Sequence, residues 1–151
     1  MKKYIILLAI TALTGCATTS SSLNSPSDAY RHAEQNFENV EEIYLFWIPS
    51  DGAIADGTFI TLSKRSPSAL ARKLADLLVV AKRDNAGIMI AGPNGAKTRQ
   101  VSLDALGLLN TDISGLQVLI HATTDAEREI VEAFRLKEAS VKGVGETKIK
   151  N

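Results

Sequence analysis

The chain has 151 residues, with 17 basic and 17 acidic side chains, and so carries no formal net charge at pH 7. That balance lacks the basic face with which nucleic-acid binders neutralise phosphates, and nucleic acid is excluded as a partner. A single cysteine excludes an internal disulfide scaffold, while the length suffices for one domain with its own core.

Lys2 and Lys3 precede Tyr4 to Leu13, an apolar run of ten residues broken only by Thr11. As a helix it would span about 15 Å, roughly half a bilayer core, too short to cross a membrane and suited to a signal-peptide core. Leu13-Thr14-Gly15-Cys16 follows, with small residues that lie extended in a protease site and a thiol that can be acylated. Residues 1–16 resemble the signal and lipobox of bacterial lipoproteins. The resemblance implies cleavage after residue 15 and lipidation of Cys16, with palmitate among the acyl groups. Several acyl chains anchor a protein stably where one does so only marginally. Ala17 stands where an aspartate would retain a lipoprotein of this class in the inner membrane. The resemblance therefore implies the outer membrane, on its periplasmic face in a Gram-negative host.

Cutting after residue 15 removes two lysines and no acid, leaving 15 basic against 17 acidic side chains. Residues 16–25 read as the lipidated cysteine and a flexible tether, too polar to offset the entropy of ordering. Residues 26–145 read as a single domain and 146–151 as a loose tail.

Ser25-Pro26 is a helix-start signal, and Tyr30, Ala33, Phe37 and Val40 continue at helical spacing, which predicts a helix over 26–38. His32 falls off that stripe and reads as solvated. Ile43 to Ile48, aromatic and β-branched and stopped by Pro49, reads as a buried strand. Residues 49–57 read as a loop and Thr58 to Leu62 as a second strand. Asp51 and Asp56 in that loop are too few oxygens for a calcium cage and read as a solvated turn.

Ser66-Pro67 opens a helix whose stripe is Leu70, Leu74, Leu77, Leu78 and Ala81. It ends near Asp84-Asn85, and Ile88 to Ala91 reads as an inner strand covered on both faces. From Thr98 a further helix buries Val101, Ala105, Leu108 and Leu109, although a hairpin turning at Pro93-Asn94-Gly95 is a local alternative. Leu116 to Ile120 is another strand. Thr124 with Glu127 is a capping-box pattern for a helix through Lys137, and Val141 to Val144 adds a short final strand. Strands thus alternate with helices, which predicts an α/β fold: a small sandwich with a largely parallel sheet flanked by helices. The first strand is open to an antiparallel pairing with the second, since only a loop joins them.

Gly92-Pro93-Asn94-Gly95-Ala96-Lys97-Thr98 after an apolar strand resembles the phosphate-binding loop of ATP-binding cassette proteins, one glycine short before the lysine. That shortening misplaces the lysine, and the next strand leads to His121 instead of an acid that would manage magnesium. Nucleotide hydrolysis is therefore not expected. His121 lies at the C-terminal end of a parallel strand, where ligands collect in open α/β sheets, and Asn94, Lys97 and Lys64 could approach the same edge. No nucleophile elbow, paired histidines or clustered carboxylates accompany it, so no catalytic residue, metal or cofactor is expected.

Two readings of function follow. The first is a membrane-anchored, non-enzymatic envelope lipoprotein that binds another envelope protein or assists an assembly. The alternative is a small-ligand-binding or hydrolytic domain with a crevice near His121 and Asn94. If the strand at 43–48 is a sheet edge, Phe46 or Trp47 would belong to a partner surface; otherwise both are core.

Overall fold

The computed structural model describes residues 23–145; the signal segment, Cys16, most of the tether and the tail at 146–151 lie outside that range. Helix α1 (Pro26–Asn36) is capped by the Ser25 hydroxyl, which accepts from the Asp28 amide at 3.2 Å, with proline in the first turn. Its buried face is Ala29 and Ala33. The order then runs β1 (Ile43–Trp47), α2 (Ala53–Ser63), α3 (Ala69–Arg83), β2 (Gly87–Ala91), α4 (Gly95–Leu108), β3 (Gln117–His121), α5 (Thr124–Arg135) and β4 (Ser140–Gly143).

The four strands form one sheet in the order β1-β2-β3-β4, every neighbouring pair parallel. Sequential order with right-handed crossovers sends every connecting helix to the same face. Packing follows: Leu74, Leu78, Val101, Ala105, Ile130 and Phe134 of α3, α4 and α5 meet the even-numbered β1 and β2 residues, Ile88 and Ile90 among them. Among the described residues α1 alone of the helices covers the opposite face, where Ala29 and Ala33 meet Met89, Ala91, Leu119 and Val144, with Leu23 added just ahead of the helix. The ordered fold therefore begins before Pro26, since Leu23 is only 7% exposed. Where Phe37 leaves α1 its ring lies over Gly87, so close that a Cβ there would come within 2.8 Å of it. Among the described residues no helix is long and apolar enough to cross a membrane.

Three expectations are corrected. The strand expected at Thr58–Leu62 is part of α2, despite the β-branched content of the segment. Its threonines are accommodated because their hydroxyls bond back one turn, Thr58 to the Ile54 carbonyl at 3.0 Å and Thr61 to the Gly57 carbonyl at 2.9 Å. Tertiary anchoring of Asp56, described below, then outweighs local propensity. With that segment helical, β1 has no antiparallel partner; its neighbour is β2, in parallel register Ile43↔Gly87 through Trp47↔Ala91. Nor does Pro93-Asn94-Gly95 turn a hairpin: Asn94 is the N-cap of α4, which starts three residues before Thr98.

Two cap assignments also move. Ser68 caps α3 by accepting from the Ala71 amide at 3.1 Å. The Thr124–Glu127 box does not form, because Thr123 is the cap position and Glu127 is engaged elsewhere, accepting from the Gly145 amide at 2.9 Å. The predicted α3 stripe is displaced by about one residue: Ala71 and Ala75 are buried beside Leu74, Leu78 and Ala81, while Leu70 and Leu77 sit half-buried at its margin. At the end of α3, Asn85 takes the left-handed conformation (φ 50°) in which asparagine commonly terminates a helix.

Candidate functional site

The parallel strands all end at one edge, and the loops after β1, β2 and β3 meet there. Asn94 sits at their junction. Its Oδ1 accepts from the Lys97 amide at 3.0 Å and so caps α4, while its Nδ2 donates to Asp56 Oδ2 at 2.8 Å. One turn along α4, Lys97 is 1% exposed, and its Nζ donates to Asp56 Oδ1 and Asp51 Oδ2, each at 2.8 Å. The ammonium also lies 5.0 Å from the centre of the Phe59 ring, within cation–π range.

Asp56, in the first turn of α2, is fully buried. Besides the two donors from α4 it accepts from the Ser50 hydroxyl at 2.6 Å and from the Asp51 amide at 3.1 Å. The Lys97 ammonium first, and the Ser50 hydroxyl after it, hold this carboxyl well below the usual carboxylate range against the opposing effect of burial. For Lys97 burial works against the charge, yet the hydrogen bonds to Asp51 and Asp56 outweigh it and keep its pKa above that of an ordinary lysine. Both groups are therefore charged at neutral pH, and Asp56 is not the solvated turn residue expected from the sequence.

The surrounding loops close tightly on this cluster. A Cβ at Gly92 would come within 2.6 Å of the Ile48 carbonyl and of Thr98 Oγ1, and one at Gly95 would collide with the Thr123 hydroxyl. These glycines allow close approach by neighbouring loops of the same chain. A phosphate loop uses its glycines to bring the backbone to a ligand instead. Lys97, the residue that a phosphate loop would aim at its ligand, is instead held by two carboxylates, Asp51 in the β1–α2 connection and Asp56 in α2.

The expected ligand set divides accordingly. The structure brings Asn94 and Lys97 together and adds Ser50, Asp51 and Asp56. It does not bring in His121. In β3, His121 has the parity of Leu119 and lies in register with Ala91, both on the face that α1 covers, whereas α4 packs on the other. Asp51 and Asp56 read from the sequence as a solvated turn, and Ser50 was not singled out. The available signal was the pair of acids, Asp51 and Asp56, flanking Gly52 in a segment read as loop. Among the described residues no group of three or more histidine, cysteine or carboxylate side chains could hold a metal.

A different surface remains open on the chain. Two depressions of about 540 and 440 Å³ lie side by side between α1 and the outer edge of β1. They share Tyr30 and Glu34; Phe37 and Ile43 floor the larger and Leu45 the smaller. All five residues of β1 are half-buried, Phe46 and Trp47 among them. At the base of β1, the Tyr44 hydroxyl donates to Glu42 at 2.8 Å. That bond, with burial and the nearby Asp84 carboxylate, pushes the phenol up to about 12. Compared with protein families, with curated proteins and with solved structures, the chain matches none.

Proposed function

We propose that this chain is a lipid-anchored envelope protein whose α/β domain binds another protein and does not turn over a small molecule. One observation carries the reading: among the described residues β1 is an uncovered sheet edge flanked by an open, partly apolar groove. Natural proteins guard such edges with charges, prolines or bulges because they invite pairing, and Ile43–Trp47 has no charge or proline. The polar groups at the other attractive location, the loop edge around Lys97, are satisfied within the chain. The anchor follows from the resemblance of residues 1–16 to lipoprotein signals, which directs the domain to the periplasmic face of an outer membrane.

Site-specific photo-crosslinking in intact cells tests the binding reading. A photoreactive residue at Tyr30, in the groove, should yield one discrete protein adduct, and one at the exposed Arg72 on α3 should not. Absence of an adduct at Tyr30, or equal adducts at both positions, would overturn it.

A further inference from the structure

Every second residue of β1 turns its backbone toward β2. Glu42 O accepts from the Gly87 amide at 2.9 Å, and the Ile48 amide donates to Ala91 O at 2.8 Å. In a parallel ladder of this register the even-numbered residues between them do the same, so the N–H and C=O groups of Ile43, Leu45 and Trp47 point away from the sheet. Their side chains lie on the α1 face. A further strand laid along this edge, about 4.8 Å away, would direct alternate side chains into the groove beside α1.

The chemistry of that groove selects an occupant. Tyr30, Phe37 and Ile43 offer apolar contact, and Glu34, Glu41 and Glu42 place three carboxylates around the larger depression with no cation among its lining residues. Long basic side chains match both features, with aliphatic stems on the apolar floor and cationic ends at the glutamates. A second copy matches poorly. Its own edge, Ile43–Trp47, carries no basic side chain to meet the glutamates, so the groove's charge would go unanswered.

We propose that β1 is a strand-addition site that takes an extended segment of a partner protein, with lysine or arginine alternating with apolar residues. Affinity comes from main-chain hydrogen bonds to residues 43, 45 and 47, and selectivity from the glutamates of the larger depression. The proposal rests on the protein-binding reading above and names its surface and the chemistry of its partner.

The test uses the full chain in detergent micelles and three capped heptapeptides: alternating lysine and valine, its glutamate–valine counterpart, and a lysine–valine version N-methylated on its edge-facing amides. The lysine–valine peptide should slow hydrogen exchange at the amides of Ile43, Leu45 and Trp47 and shift the emission of Trp47, the only tryptophan. The other two peptides should do neither. Glu34→Gln and Glu41→Gln, both at exposed positions where folding is not at stake, should each weaken binding about two- to fivefold, the range of exposed ion pairs.

Protection by the glutamate peptide, protection by the N-methylated one, or none by any would overturn the proposal. So would amides already protected in the free protein, whether relieved by dilution (a second copy) or by removal of residues 146–151 (the chain's own end). If the peptides fail while the Tyr30 cross-link persists, only strand addition falls; if both fail, the binding reading falls with it.

Discussion

Removing the Lys97 ammonium is the sharpest perturbation the structure offers. In Lys97→Met the Asp56 carboxylate, 0% exposed, keeps its bonds from Ser50, Asn94 and the Asp51 amide but loses its only buried counter-charge. Breaking a buried pair from one side typically costs about 3–5 kcal/mol, because the remaining charge stays desolvated. Against a total stability on the order of 5–15 kcal/mol, that is a large fraction. It corresponds to a fall in Tm of about 10–20 °C for a domain of this size. Asp56→Asn should cost a similar amount, since it strands the ammonium. The double variant should lose less than the sum by about 2 kcal/mol, the coupling expected of residues in direct contact. Asp51→Asn is the internal control. The Asp51 side chain is 68% exposed, so its link to Lys97 should be worth less than about 1 kcal/mol. Urea unfolding at pH 7, followed by far-UV circular dichroism and Trp47 fluorescence, measures all four variants. A Lys97→Met cost under 1 kcal/mol, or additivity within 0.5 kcal/mol, would refute the assignment of this cluster as the staple between α2 and α4.

The same carboxylate governs the acid limb. Its folded-state pKa is depressed, so its contribution is complete above the unfolded carboxylate value near 4 and drains away as pH falls below it. Unfolding free energy measured between pH 6 and pH 2 should therefore fall steeply below about pH 4, and the slope should flatten in Asp56→Asn. Ser102 in α4 is fully buried and its hydroxyl has no hydrogen-bond partner among the described residues. Ser102→Ala should raise stability by about 1 kcal/mol, as relief of an unsatisfied polar group does; a loss of stability in the same urea assay would count against that reading. Finally, Cys16→Ser should abolish incorporation of labelled palmitate and release the protein from membranes, and undiminished label in the variant would remove the anchor.

The inner strands of the parallel sheet were legible because each centres on a short apolar run, Ile88–Ala91 and Val118–Ile120, between helical segments. Ile88–Ala91 and Leu116–Ile120 differ from their observed bounds by a residue at most. The segment 53–63 was not legible. Thr58, Phe59, Ile60 and Thr61 favour a strand by local preference, and what makes them helical is a contact between residues 41 positions apart, the Asp56–Lys97 pair. The candidate site was half legible for a related reason. Asn94 and Lys97 share one helix start, so their proximity is local, whereas Asp56 enters only once the fold exists. Separating His121 from them required knowing which face each strand residue takes, and that depends on pairing register.

The burial of Leu23 has a mechanical consequence. A load drawn along a tether attached ahead of it would reach Leu23 and α1 before it reached the sheet. Among the described residues that helix, with Leu23 ahead of it, covers one face of the sheet, and it is seated largely through alanines. It is thus placed to peel away while the four strands and the helices behind them stay together. Residues 23–42, once released, would span about 70 Å at full extension. Their release would also remove Tyr30, Glu34 and Phe37 from beside β1. In a chain anchored as proposed, pulling on the anchor and occupation of the β1 edge would then oppose one another.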